Sequence, residues 1–169
     1  MSDRYEVTVT TGTRSGAGTN STISVTFLGT GGTSGPHKLD KRFHNDFEAG
    51  KTDTYKVDAP DLGELLALRF HSHGGSLDLG GDWNLACATV LRGEQNWYFP
   101  NYSWLRTGES ITVLEGKARL PHQSVLDGAA DLRRAQIQAA RERFPWRPSD
   151  GSLPGSLDIS KERPIPLDE

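Results

Sequence analysis

The 169-residue sequence holds one cysteine, one methionine and five histidines. A lone cysteine, Cys87, excludes an intramolecular disulfide framework and any structural Cys₂His₂ or Cys₄ zinc site. No run of 18 apolar residues occurs, so no segment reads as a membrane-spanning helix. The opening MSDRYEVTV lacks the apolar stretch of a secretory signal. The chain also lacks basic excess: 19 Lys and Arg stand against 22 Asp and Glu, a net charge of −3, which argues against nucleic acid as a partner. Catalytic signatures are missing too, with no G-x-S-x-G elbow, phosphate-binding glycine loop, H-E-x-x-H or EF-hand loop. No catalytic residue is assigned.

What is present is a β pattern. Tyr5, Val7 and Val9 alternate with polar residues, the period-2 signature of a half-buried strand. The same alternation returns at Ile23, Val25 and Phe27, at Tyr55 and Val57, and at Leu66, Leu68 and Phe70. It continues at Trp83, Leu85 and Cys87, at Trp97 and Phe99, and at Ile111 and Val113. Turn signals separate these runs at Gly29 to Gly35, Glu48 to Lys51, Gly74-Gly75, Gly80-Gly81, Arg92-Gly93-Glu94 and Thr107-Gly108-Glu109. Short strands with regular turns predict an antiparallel β-sandwich over residues 1–120. Beyond Pro121 the composition changes. Leu126, Ala130, Ile137, Ala140 and Phe144 mark one helical face, Ser124 and Asp127 fit a capping box, and Pro145 ends the helix. From Pro145 onward lie five of the nine prolines, in an extended stretch that needs something to pack against. Residues 121–169 thus read as a helical and Pro-rich linker.

Three groups of residues could carry chemistry. His71 and His73 face one side of a strand end, which could suit a metal, but two histidines alone make no site, and Cys87 reads as a small buried hydrophobe. Oxygen ligands are better represented. Asn45, Asp46 and Glu48 sit at a strand-to-loop boundary, the turn from Gly16 to Asn20 offers backbone carbonyls, and Asp82 adds a carboxylate. Calcium takes six to eight such oxygens. Ordinary polar hairpin tips would look the same. The third group is aromatic: Trp83 and Trp97 alternate like core residues, whereas Trp104 follows Pro100-Asn101-Tyr102-Ser103 in a loop context that suits a membrane interface or a fold-back over the sandwich end.

Several separated motifs resemble one family. Tyr5-Glu-Val-Thr-Val-Thr-Thr-Gly12, Ala17-Gly18-Thr19, Leu39-Asp40-Lys41, Phe43-His-Asn-Asp-Phe-Glu48, Leu62-Gly63-Glu64, Asp82-Trp83 and Phe99-Pro-Asn-Tyr-Ser-Trp104 keep the order seen in the PLAT (lipoxygenase homology, LH2) domain of animal lipoxygenases, nearest the 5-lipoxygenase type. The Arg-rich helix, Phe144-Pro-Trp146, Leu153-Pro154 and Ile165-Pro-Leu-Asp168 resemble the connector towards the catalytic domain.

The resemblance implies an all-β, eight-stranded sandwich of two four-stranded sheets. It also implies calcium at loops on one end and docking on phospholipid membranes through loop-tip tryptophans. Its calcium positions fall on Gly16, Ala17, Gly18, Asn20, Asn45, Asp46, Glu48 and Asp82. The family's paired aspartates are Asn20 and Ser21 here, which makes that site weaker or empty. Two of three membrane tryptophan positions fall near Ser15 and Asp78, leaving Trp104 with Leu77 and Leu79 as substitutes. The histidines and C-terminal carboxylate that hold a lipoxygenase's iron have no counterpart, so the chain is expected to be non-enzymatic, whether a fragment, a truncated front piece or a stand-alone protein. The resulting expectation is a calcium-tuned, cytoplasmic, peripheral membrane-binding domain whose partner in a longer parent is the catalytic domain. A protein–protein module of PLAT type is the alternative.

Overall fold

In the computed structural model the described residues are 2–40, 45–74, 81–117, 126, 128–143, 146–148 and 154–157. Eight strands alternate direction: β1 (Ser2–Thr11), β2 (Thr22–Gly29), β3 (Gly32–Leu39), β4 (Thr52–Pro60), β5 (Leu65–His73), β6 (Trp83–Arg92), β7 (Gln95–Leu105) and β8 (Ser110–Leu114). They form two antiparallel four-stranded sheets, ordered β4-β1-β6-β7 and β3-β2-β5-β8. The expected eight-stranded sandwich is what the chain forms. Its core is the inward half of each alternation: Tyr5, Val7 and Val9, then Ile23, Val25 and Phe27, then Leu68, Phe70, Trp83, Leu85, Trp97 and Phe99, all essentially buried. Side chains of a strand alternate between faces, so one face of each sheet supplies this layer and the other carries Thr, Lys and Glu.

Three local readings change. The Gly29 to Gly35 stretch is not one long turn, because strand β3 begins at Gly32. It lies at a sheet edge, where Gly35 and Pro36 cost no ladder hydrogen bond to a second neighbour. Cys87 is only half-buried rather than core. A register shift between Leu85 and Cys87 breaks the alternation, so Ala88 and Val90 point inward instead. Trp104 belongs to the end of β7 rather than to a loop.

The chain separates into two compact units, residues 1–129 and 130–169. A helix, α1 (Ala129–Arg143), begins five residues later than Ser124 because Gly128 takes φ 75°, outside the helical region. It ends before Pro145, as proline's restriction on the preceding residue requires. The proposed cap at Ser124 and Asp127 lies outside the described residues, as does Phe144. Among the described residues of the Pro-rich stretch, β9 (Trp146–Pro148) pairs with β10 (Pro154–Leu157).

Candidate functional site

Strand direction decides which loops meet. β1, β3, β5 and β7 all run towards one end of the sandwich, and β2, β4, β6 and β8 start from it. The connections 12–21, 40–51, 74–82 and 106–109 therefore gather at that end. Every residue expected to bind calcium falls in the first three of them. Leu77 and Leu79 belong to the same connection as Asp82 but lie outside the described residues.

Backbone hydrogen bonds tie these loops to one another. Thr19 N–H donates to Phe47 O at 3.2 Å, Gly50 N–H to Gly12 O at 2.9 Å, and Gly12 N–H to Asn84 O at 2.8 Å. Gly18 lies flat against the second loop: a Cβ there would stand 2.9 Å from Phe47 O and 3.1 Å from Ala49 N. Only glycine permits that approach. The Thr19 hydroxyl donates to Gly81 O at 2.5 Å and accepts from Ser21 N–H at 3.1 Å, linking the third loop.

The expected ligands divide by what they face. Asn45 and Glu48 are exposed and converge, the Asn45 amide donating to Glu48 Oε1 at 2.5 Å. Asp46 is half-buried beside Tyr55. Burial pushes the Tyr55 hydroxyl pKa upward, and the Asp46 and Asp53 carboxylates add to that rise. Asn20 and Gly16 are exposed, while Ala17 is buried and its carbonyl accepts Asn84 N–H at 2.9 Å. Asp82 is exposed, and its Oδ1 accepts Thr107 N–H at 3.1 Å, bridging the third and fourth loops. The structure thus joins Gly18 to the Asn45–Glu48 loop and ties Asp82 to the fourth loop. Ser21, where the family carries an acid, is buried.

Sequence reading passed over the residues that hold this end in shape. Phe47 adopts φ 62°, a left-handed conformation uncommon for a non-glycine residue. It is held there from both sides. Its N–H donates to the buried Asp53 carboxylate at 2.9 Å, and its ring packs against Tyr55 at 5.7 Å and edge-on to Trp83 at 5.0 Å. Trp83 in turn donates from Nε1 to Thr11 Oγ1 at 2.9 Å. A phenylalanine between Asp46 and Glu48, in an otherwise polar turn, was the available sign of a buried anchor.

Calcium is the metal the family resemblance implies, and the donors suit it. Two carboxylates, an amide and the carbonyls of the abutting glycine loop form an all-oxygen set for a hard cation. Among the described residues no three His, Cys, Asp or Glu side chains gather as a metal cluster, so a site here depends on amide and backbone oxygens as well.

Trp104 stands beside this end, 38% exposed, opposite Asn84 in the register. The irregular stretch before it is fixed by Asn101, whose Nδ2 donates to Leu85 O at 3.0 Å and to Ser103 O at 3.3 Å. Bulges of this kind re-aim the following side chain. Among the described residues no helix is long and apolar enough to cross a membrane.

Fold and loops together define a β-sandwich module with its oxygen-rich connections at one end. Residues 5–115 match the PLAT/LH2 domain family, and the chain belongs to that family. It is 30% identical over 167 residues to the allene oxide synthase-lipoxygenase protein of Plexaura homomalla, covering 97% of this chain and 16% of that one. It is 30% identical over 164 residues to the 12R-type arachidonate 12-lipoxygenase of Mus musculus, covering 96% and 23%. The structure of a coral 8R-lipoxygenase, described as activated by calcium through a C2-like domain, superposes with a TM-score of 0.68 at 31% identity, covering 91% of this chain and 23% of that one. The chain spans about a sixth to a quarter of the length of its curated relatives. These relatives are not specifically of the 5-lipoxygenase type that the loop motifs suggested, so the likeness is to animal lipoxygenases more broadly.

Proposed function

We propose that this chain is the calcium-tuned membrane-targeting part of a lipoxygenase-like protein, and that it performs no chemistry itself. The observation that carries this reading is the convergence of the oxygen-bearing loops and the exposed Trp104 at one end of the sandwich. Calcium would be held by Asp46, Glu48 and Asn45 with carbonyls of Gly16 and Gly18, while Asn20 in place of an acid lowers the charge of the second position. Bound calcium would neutralise the acidic tips, lowering the cost of bringing them to a phospholipid surface. Trp104 then enters the interface with its ring in the acyl boundary, aided by Leu77 and Leu79. Burying one such ring contributes on the order of 1.5–3 kcal/mol, which gives weak, reversible docking from the cytoplasmic side.

Two comparisons support the calcium step: the coral 8R-lipoxygenase above, and an 11R-lipoxygenase structure described as calcium-dependent, 31% identical with a TM-score of 0.62. The partner in a longer parent is an iron-bearing catalytic domain. The similarity to lipoxygenases extends past residue 115 to cover 91–98% of the chain, and so includes the helical segment. Flotation of residues 1–169 with phosphatidylcholine vesicles tests the function. Flotation with calcium but not with chelator is the expected result, and it should be lost in Asp46→Ala and Glu48→Ala. Failure to float in either condition would remove the membrane reading and bring forward a protein partner.

A further inference from the structure

We propose that His71 and His73 form a chelating site for a divalent transition-metal ion of the zinc type, on the outer face of the β2-β5-β8 sheet and distinct from the oxygen-rich loops. The two rings are neighbours on one face of β5, with centroids 4.2 Å apart and planes at 75°. Each ring uses one nitrogen on a serine from a flanking strand. His71 Nδ1 lies 2.7 Å from Ser110 Oγ of β8, and His73 Nε2 lies 2.9 Å from Ser24 Oγ of β2. The register explains the arrangement, since Ser24, His71 and Ser110 are direct cross-strand partners in one row. With the serine oxygens accepting, His71 keeps the lone pair on Nε2 and His73 keeps it on Nδ1. Such a second hydrogen bond is what fixes tautomer and ring orientation in metal-binding histidines.

The strand end that carries the pair is held in place, Ser72 N–H donating to Glu109 O at 3.0 Å and Ser72 O accepting Gly108 N–H at 2.9 Å. Imidazole pairs select zinc, copper or nickel over calcium, so the histidine pair and the oxygen-rich loops would respond to different ions. The remaining positions on the metal would be filled by water or by an acidic group of a bound partner.

The test is calorimetric titration of the 169-residue chain with Zn²⁺ in excess calcium, which occupies the oxygen sites. One equivalent should bind. His71→Ala and His73→Ala should each abolish it, and Ser110→Ala should weaken it by about tenfold or more, the usual effect of removing an orienting partner. No binding by the unaltered chain, or unchanged binding by the double histidine variant, would overturn the proposal. Should a variant fold poorly, ring NMR signals of the unaltered chain titrated with Ni²⁺ decide the matter. Selective broadening at His71 and His73 supports the site, and broadening elsewhere contradicts it.

Discussion

The two ends of the sandwich are built by different means. At the end opposite the oxygen-rich loops, a side-chain cluster centred on Arg92 is added to the backbone bonds from Thr30 to Glu64 and from Gly31 to Leu62. Arg92 reaches Asp61, donates to the Tyr5 hydroxyl at 2.9 Å, and lies over the Tyr5 and Trp97 rings at 5.4 and 5.6 Å. Trp97 donates from Nε1 to Glu64 Oε2 at 3.1 Å. At the loop end, backbone joints from Gly12, Thr19 and Gly50 combine with side-chain contacts of Thr19, Asp53, Asp82 and Trp83, while Asn45 and Glu48 stay exposed. Each end has its own buried tryptophan, Trp97 at one and Trp83 at the other. On the proposed reading, the exposed Asn45 and Glu48 leave the loop end for a cation to complete, whereas Arg92 fills the other end from within the chain.

The contrast can be broken most forcibly at its tryptophans. Trp83→Ala and Trp97→Ala should each lose about 3–5 kcal/mol in denaturant unfolding, but only Trp83→Ala should also abolish calcium binding, because Phe47 loses its edge contact. Asp53→Ala leaves the Phe47 N–H buried without its acceptor and should cost about 1–3 kcal/mol, with calcium affinity falling alongside. Arg92→Ala should cost about 1–2 kcal/mol while leaving calcium titration and vesicle flotation unchanged.

A smaller effect concerns pH. Burial lowers the His37 pKa, and burial with His71 lowers that of His73, so the unfolded chain binds protons more readily than the fold. Stability should be constant above the unfolded histidine value of about 6.5 and fall as pH drops below it, levelling once the depressed folded values are passed. A melting-temperature series of the parent against His73→Gln should show the shallower slope in the variant. Trp104→Ala should be nearly silent in stability, within about 0.5 kcal/mol, and yet lose vesicle binding.

Much of this organisation was legible in the residues. Period-2 alternation located seven of the sandwich strands, and the ordered motifs brought the family with them. β3 escaped because an edge strand tolerates Gly35 and Pro36, which in a central strand would signal a turn. The half-burial of Cys87 follows from the register shift between Leu85 and Cys87, an effect that alternation alone does not encode. The pairing of Gly18 with the Asn45–Glu48 loop needed strand order, since those residues are distant in sequence.

The most direct measurement is amide hydrogen exchange of the whole chain with phosphatidylcholine vesicles, in calcium and in chelator. Calcium should slow exchange at residues 12–20 and 45–51 and around Trp104, and leave the turns at 30–31, 61–64 and 93–94 as they were. Protection spread equally over both ends, or none at the loop end, would contradict a sandwich with one ligand-completed, membrane-facing end.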